Sequence, residues 1–266
     1  MVATTSRTVP QSLAPLVQLL ELEQPHVVTA AQVRGWSSEA GISWPADLVI
    51  RRLREKGWLL DLATRGVWEF APAARAGTYG SGDPLIELRA TLARDHSAPY
   101  AVGAESAAYL LGLASRRPER EVVGAPPGMR PPKAFSAFRV VSWVPRTPLV
   151  QRDSLPTWSA ATLLAFMGTR PSGYRDWPNA GEWLAQATAG VGDEDLAGEL
   201  SGRARGAWAR TAYLLDRGGA PARARELLSA APAGSGPYYL GERRREGRYA
   251  KAFDLIDSTG LEVHAQ

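Results

Sequence analysis

The stretch SWPADLVIRRLREKGWLLDLATRGVWEF, residues 43–70, places an arginine-rich helical segment directly before two short apolar runs. Ala46, Val49, Ile50 and Leu53 follow the i, i+3, i+4, i+7 spacing of a helix face that packs on a core. The pattern therefore predicts an amphipathic helix whose other face meets solvent or a partner.

The ends and the outer face of this helix can also be assigned from the sequence. Ser43 is expected to cap the helix, with Pro45 in its first turn, and Gly57 is expected to end it. At about 100° per residue, the outer face holds Trp44, Asp47, Leu48, Arg51, Arg52 and Glu55.

The two apolar runs, WLLDLA and VWEFA, predict a β-hairpin joined by Thr64, Arg65 and Gly66. Upstream, the leucines between residues 13 and 22 indicate a first helix that Pro25 ends, and HVVT is a short extended piece. Thr29 is placed to cap a second helix, which Gly41 follows. This order of three helices and a hairpin predicts a winged helix-turn-helix, whose third helix enters the DNA major groove.

Each candidate contact has a physical reason. Arg51 and Arg52 suit phosphates or a guanine edge, and Arg65 at the tip of the hairpin suits a narrow minor groove. An exposed Leu48 suits a thymine methyl group or a protein partner. The full predicted DNA-contact set is Ser43, Trp44, Asp47, Leu48, Arg51, Arg52, Arg54, Lys56, Thr64 and Arg65. The alternative is a protein-protein interaction module with a solvated arginine face.

The sequence predicts an α+β fold that is mainly helical, in two domains. Residues 1–76 form the winged helix-turn-helix domain, residues 77–83 a Gly- and Ser-rich linker, and residues 84–266 a larger mixed α/β C-terminal domain. In the second domain, EVVGAP and FRVVSWVP are β-like. Helices are predicted in PLIELRATLARD, GAESAAYLLGL, WSAATLLAFMGTR, NAGEWLAQATAG, DEDLAGELSG, RGAWARTAYLLDRGG and ARARELLSA.

Composition narrows the class of protein. Among 266 residues the formal net charge is +4, and arginine supplies most of the positive charge because lysine occurs only at Lys56, Lys133 and Lys251. This arginine preference suits phosphate binding, but a GC-rich genome also favours Arg codons. Cysteine is absent, which excludes disulfides and thiolate metal sites. With no apolar run of membrane-span length and no signal-peptide pattern, a cytoplasmic protein that enters no membrane is expected.

No catalytic or metal site is expected, and no cofactor. His26, His96 and His264 lack the spacing of a zinc site, and GTYGSGDP lacks the Gly-Lys-Ser/Thr end of a phosphate loop. Asp193, Glu194 and Asp195 precede LAGEL, where acidic residues stabilise a helix start. A nuclease or a nucleotidyltransferase-like enzyme that uses these carboxylates is the remaining enzymatic alternative.

Arginines recur in the last third of the chain and form a candidate basic surface for DNA or an acidic protein, with solubility as the alternative. The role of the basic run within residues 242–251 is left open. The arginines concerned are Arg203, Arg205, Arg210, Arg217, Arg223, Arg225, Arg243, Arg244, Arg245 and Arg248.

Four segments taken in order resemble the AbiEi family of antitoxins: LREKGWLLDLATRGVWEF, PYAVGAESAAYLLGL, WSAATLLAFMGTRP and RTAYLLDRGG. The resemblance covers about residues 10 to 230 and implies a winged helix followed by an antitoxin domain. It implies an autorepressor that binds repeats in double-stranded DNA of its own operon promoter. The cognate toxin would be a nucleotidyltransferase-like AbiEii protein in a type IV system, in which the antitoxin need not bind the toxin. DNA contacts would fall on Ser43, Trp44, Asp47, Arg51, Arg52, Thr64 and Arg65.

Overall fold

The computed structural model describes residues 9–75, 80–241, 243 and 246–262. This part of the chain is mixed α and β, as expected, and its contacts divide it into two compact units. The first unit comprises the described residues up to Ala98 together with Pro132–Ser136. The second comprises Pro99–Pro131 and the described residues from Ala137 onward.

The first unit contains a three-stranded sheet and a set of short helices around one apolar core. Its elements are α1 (Ala14–Glu23), β1 (Val27–Thr29), α2 (Ala30–Glu39), α3 (Ala46–Glu55), β2 (Leu59–Asp61), β3 (Val67–Phe70) and α4 (Ile86–Arg94).

Local sequence explains the start of α2 and the end of α3, but the start of α3 differs from the expectation. Thr29 caps α2 as expected, because its hydroxyl accepts the Gln32 N–H at 3.2 Å and the Gln32 side chain accepts the Thr29 N–H at 2.8 Å. The expected cap of α3 by Ser43 is wrong, because Pro45 is the N-cap residue and α3 has no side-chain cap hydrogen bond. Gly57, at φ +72°, follows the end of α3 as expected.

The predicted hairpin is present, but its connection is longer than expected. β2 pairs antiparallel with β3, and β3 also pairs antiparallel with β1, so β3 lies in the middle of the sheet. Residues 62–66 connect the two strands of the hairpin, rather than 64–66 alone. Trp58 stacks on Phe70 beneath the hairpin, with ring centroids 6.5 Å apart.

Helix α4 belongs to the first unit, although the predicted boundary at residues 77–83 assigned it to the second domain. Leu85 and Leu88 are fully buried, and α4 packs on β1 and β3. Asp83 holds the helix start, because its carboxylate accepts the Leu85 N–H at 2.9 Å and the Arg89 Nε–H at 2.7 Å. Residues 77–79 of the predicted linker lie outside the described residues.

The elements of the second unit are β4 (Ala101–Val102), α5 (Ala104–Leu110), β5 (Val122–Ala125), β6 (Arg139–Ser142), β7 (Val150–Arg152), β8 (Leu155–Thr157), α6 (Ala160–Thr169), α7 (Trp177–Gly190), α8 (Asp193–Leu200), α9 (Arg205–Arg217), α10 (Pro221–Ser229), β9 (Tyr238–Leu240), β10 (Arg248–Ala250) and β11 (Leu255–Asp257). Its strands form a five-stranded sheet in the order β6-β5-β4-β8-β7 and a small three-stranded sheet in the order β10-β11-β9. The predicted helices from α5 onward and strands β5 and β6 are present, whereas β4, β7, β8 and the strands of the small sheet were not predicted.

The core of the second unit is centred on Trp158, which is fully buried. Its indole lies directly against the backbone of Gly103 and Gly124, where an added Cβ would come within 2.9 Å and 2.5 Å of the ring. Phe166 packs on the indole, with ring centroids 5.0 Å apart. These two glycines are therefore required by close packing of a large aromatic ring against the sheet. No helix in the described ranges is long and apolar enough to span a bilayer.

Candidate nucleic-acid interface

The outer face of α3 presents two arginines to solvent. Arg51 and Arg52 keep 63% and 48% of their side-chain surface exposed. Both contact Glu55: Arg51 Nε lies 3.8 Å from Oε1, and Arg52 Nη1 lies 3.1 Å from Oε2. Exposed ion pairs of this kind contribute only about 0–1 kcal/mol each, so a phosphate can replace the carboxylate at small cost.

Arg54 connects α3 to the hairpin. Its Nη2 lies 2.6 Å from Asp61 Oδ2 in β2, and both side chains are exposed. This pair joins the arginine-bearing helix to the first strand of the hairpin. Lys56 follows at the C-cap of α3 and is also exposed. Arg54 and Lys56 thus flank the outer face, as their predicted phosphate contacts require.

The N-terminal end of α3 carries the other predicted contacts. Ser43 is exposed, Trp44 is 36% exposed, and Asp47 is exposed in the first turn, where a carboxylate is favoured by the helix dipole. Leu48 is half-buried rather than exposed, so part of its apolar surface is already covered within the fold.

The hairpin loop requires one correction. Thr64 was predicted to contact DNA, but it is only 4% exposed. Its hydroxyl donates to Glu87 Oε2 at 2.8 Å and lies 3.4 Å from Thr91 Oγ1, both on α4. Thr64 therefore offers almost no surface to a duplex in this structure. Arg65, the next residue, is exposed as predicted.

Glu87 is a residue of this site that sequence reasoning missed. Its carboxylate accepts the Ala63 N–H at 2.7 Å and the Thr64 N–H at 3.1 Å, in addition to the Thr64 hydroxyl. Helix α4 thus holds the loop that presents Arg65. No local pattern signals this contact, because Thr64 and Glu87 lie far apart along the chain.

The acidic residues considered for catalysis lie at the start of a helix. Asp193, Glu194 and Asp195 form the first turn of α8, as expected, and Asp193 pairs with Arg223 at 2.6 Å. In the described ranges, no group of three His, Cys, Asp or Glu side chains could hold a metal ion. His264 and part of GTYGSGDP lie outside those ranges.

Six of the eight later arginines that the structure describes donate to backbone carbonyls. Arg223, for example, donates to the carbonyls of Thr188 and Val191 at the end of α7, at 2.5 Å and 2.6 Å. Such contacts satisfy the free carbonyls of a helix end. Arg248 is exposed, and Arg244 and Arg245 lie outside the described residues. Arginines with a carbonyl partner are Arg203, Arg205, Arg210, Arg217, Arg223 and Arg225.

Comparisons with known proteins agree with this architecture. The family described as AbiEi antitoxin C-terminal domain matches residues 100–217. The crystal structure of the RV2827C protein from Mycobacterium tuberculosis is similar, with a TM-score of 0.80 and 31% sequence identity over 98% of this chain and 96% of that chain. No curated protein matches the chain.

Proposed function

The chain belongs to the AbiEi antitoxin family, and from this membership we propose that it is a transcriptional autorepressor that binds double-stranded DNA in its own operon promoter. The family gives it the role of antitoxin in a toxin-antitoxin system. The observation that carries the DNA-binding part is the arrangement of α3 and the β2–β3 hairpin, with Arg51, Arg52 and Arg65 exposed on consecutive elements.

The order of elements in the first unit supports a winged helix-turn-helix. Helices α2 and α3 are separated by a short turn at Gly41, and the hairpin follows α3 directly. In a helix-turn-helix, the second helix of the pair lies in the major groove. We assign that position to α3, and the hairpin connection at residues 62–66 is then the wing.

Binding would rest mainly on phosphate contacts. Arg51 and Arg52 would exchange Glu55 for phosphate oxygens, and Arg54 and Lys56 would extend the same contact. Arg65 would enter the minor groove beside the recognition helix. Two copies on repeated half-sites would bind more tightly than one, because the second binds at a high effective concentration.

The proposed toxin partner is the one that the AbiEi family implies. The partner is a nucleotidyltransferase-like AbiEii protein, and neutralisation in the cytoplasm does not require a stable complex. The proposal assigns no reaction to this chain. Trp44, at 36% exposure, is the feature that favours the second candidate, a module that binds the toxin directly.

The decisive experiment measures affinity for a duplex from the upstream region of the operon and for a scrambled duplex of equal length. The double variant Arg51→Ala, Arg52→Ala should weaken binding about 10- to 100-fold, because two charge-assisted phosphate contacts are lost. It should also reduce the slope of log affinity against log salt by about 0.9 per lost contact. Arg152→Ala removes an exposed arginine from β7 and serves as the matched control.

Unchanged affinity in the double variant would refute the assignment of α3 as the recognition helix. Equal affinity for the two duplexes would refute sequence-specific autorepression. If the protein binds neither duplex but co-purifies with the toxin, and Trp44→Ala breaks that complex, the direct-binding module is the correct function.

A further inference from the structure

The second unit contains a groove of about 950 Å³ at the start of α9, and we propose that it binds a phosphate group. This inference does not depend on DNA binding by the first unit. The groove is within the size range of small-ligand sites. It is lined by residues before and within the first turns of α9, and by the segment that follows α10.

The charge of the groove favours an anion. Arg203 and Arg205 line it, and the described residues of its lining include no carboxylate. Arg203 keeps only 15% of its side-chain surface exposed and stacks on Trp143, with its guanidinium 3.8 Å from the ring centroid. Burial lowers the pKa of Arg203 and the nearby charge of Arg146 lowers it further, whereas Glu199, 3.9 Å away, raises it. The net shift of the pKa is downward, so an anion in the groove would further stabilise the charged guanidinium.

Backbone groups at the start of α9 add to the attraction. The N–H groups of Arg205 and Gly206 have no acceptor in the described structure, because they precede the first helical hydrogen bonds. The helix dipole places partial positive charge at the same end. The positive end of a 13-residue helix is therefore located beside two arginines.

Two side chains supply an independent observation. Trp208 lines the groove and is 6% exposed, yet its indole N–H has no hydrogen-bond partner. Trp208 lies about one turn into α9, and side chains on a helix lean toward its N-terminus, the end that borders the groove. Tyr238 also lines the groove, and its buried hydroxyl has no partner either. An oxyanion between these two side chains would give both donors an acceptor.

The wall of the groove is held in place. Arg205 donates to the Pro232 carbonyl at 3.0 Å, which fixes the segment after α10. The same segment lies close to Tyr238, because a Cβ added to Gly234 would be 3.2 Å from the Tyr238 hydroxyl. The cationic groups and the hydroxyl are thus positioned before a ligand arrives, which lowers the entropic cost of binding.

The test follows the indole N–H resonance of Trp208 by NMR, assigned with Trp208→Phe, during titration of the full chain. The probes are inorganic phosphate, adenosine monophosphate, and a dinucleoside monophosphate whose only phosphate is a diester. A saturable shift with either of the first two indicates a free phosphate compound as ligand. A shift with the third alone indicates the phosphodiester of a nucleic acid.

Two pairs of variants locate the site. Ala233→Glu places a negative charge on the exposed wall and should abolish the shift, while Ala233→Gln, which is similar in size, should retain it. Arg205→Ala should weaken binding about tenfold. Arg225→Ala, which removes an exposed arginine from α10, should leave binding unchanged. No shift with any probe up to about 10 mM, a range that covers weak millimolar binding, or a shift that persists in Ala233→Glu, would overturn the proposal.

Discussion

The Thr64 hydroxyl donates a hydrogen bond of 2.8 Å to Glu87 Oε2, and this contact fixes the loop of the hairpin against α4. Two backbone N–H groups of the same loop bond to the same carboxylate. A loop held by three hydrogen bonds keeps Arg65 in one position, ready for the proposed DNA contact. In the proposed function, Glu87 is thus a positioning residue for the wing.

We predict that Glu87→Ala loosens the loop without unfolding the first unit. Amide hydrogen exchange at Ala63 and Thr64 should become about tenfold faster, because each lost bond stabilises by about 0.5–1.5 kcal/mol. DNA affinity should fall several-fold, since Arg65 must be ordered on binding. Glu23→Gln, at the exposed end of α1, is the control. Exchange rates equal to those of the unaltered protein would show that Glu87 does not hold the loop.

We predict that Glu55→Gln strengthens DNA binding. Glu55 pairs with Arg51 and Arg52 and would repel phosphate, so its neutralisation frees both guanidinium groups. An interaction of about 1 kcal/mol corresponds to a gain in affinity of about fivefold. The measurement is fluorescence anisotropy at low salt, with Glu226→Gln on α10 as control. Weaker binding would mean that Glu55 itself contacts DNA. It would contradict the proposal that Arg51 and Arg52 exchange Glu55 for phosphate oxygens.

We predict only a small coupling between Arg54 and Asp61. The pair is short, at 2.6 Å, but both side chains are exposed. A double-mutant cycle with Arg54→Ala and Asp61→Ala, measured by urea denaturation, should give about 0.2–1 kcal/mol. The coupling should shrink as salt is raised. A larger value that does not depend on salt would indicate that the pair is desolvated.

Local patterns in the sequence were sufficient to predict the buried face of α3 and the start of α2. The stripe of Val49, Ile50 and Leu53 on α3 is buried as predicted, and Thr29 caps α2 as predicted. Apolar periodicity and capping act over a few residues, so they can be read from a single segment. The exposure of Arg51 and Arg52 was predictable for the same reason.

Features that depend on distant partners were not predictable. The assignment of α4 to the first unit depends on its packing against β1 and β3, and the burial of Thr64 depends on Glu87. The later arginines were interpreted from charge alone, but Arg223 contacts the end of α7. A charged residue on the surface and one that bonds a helix end look the same in sequence.

The last prediction concerns Glu199, a fully buried carboxylate in α8. Its Oε1 accepts hydrogen bonds from the N–H groups of Arg146 and Thr147 and from the hydroxyls of Thr147 and Thr162, at 2.7–3.0 Å. Glu199→Leu leaves these four donors without that acceptor, so the free energy of unfolding of the second unit should fall by more than about 3 kcal/mol.

Glu199→Gln keeps one oxygen for the same donors and should cost less than Glu199→Leu. Urea denaturation, followed by near-ultraviolet circular dichroism, measures both variants, and Glu226→Leu on the exposed face of α10 controls for the added apolar surface. Equal losses for Gln and Leu would show that the negative charge, 3.9 Å from Arg203, matters more than the hydrogen bonds. The carboxylate joins α8 to α6 and to the segment after β6. We therefore expect the free energy of unfolding of the Glu199→Leu variant to be well below that of Glu199→Gln.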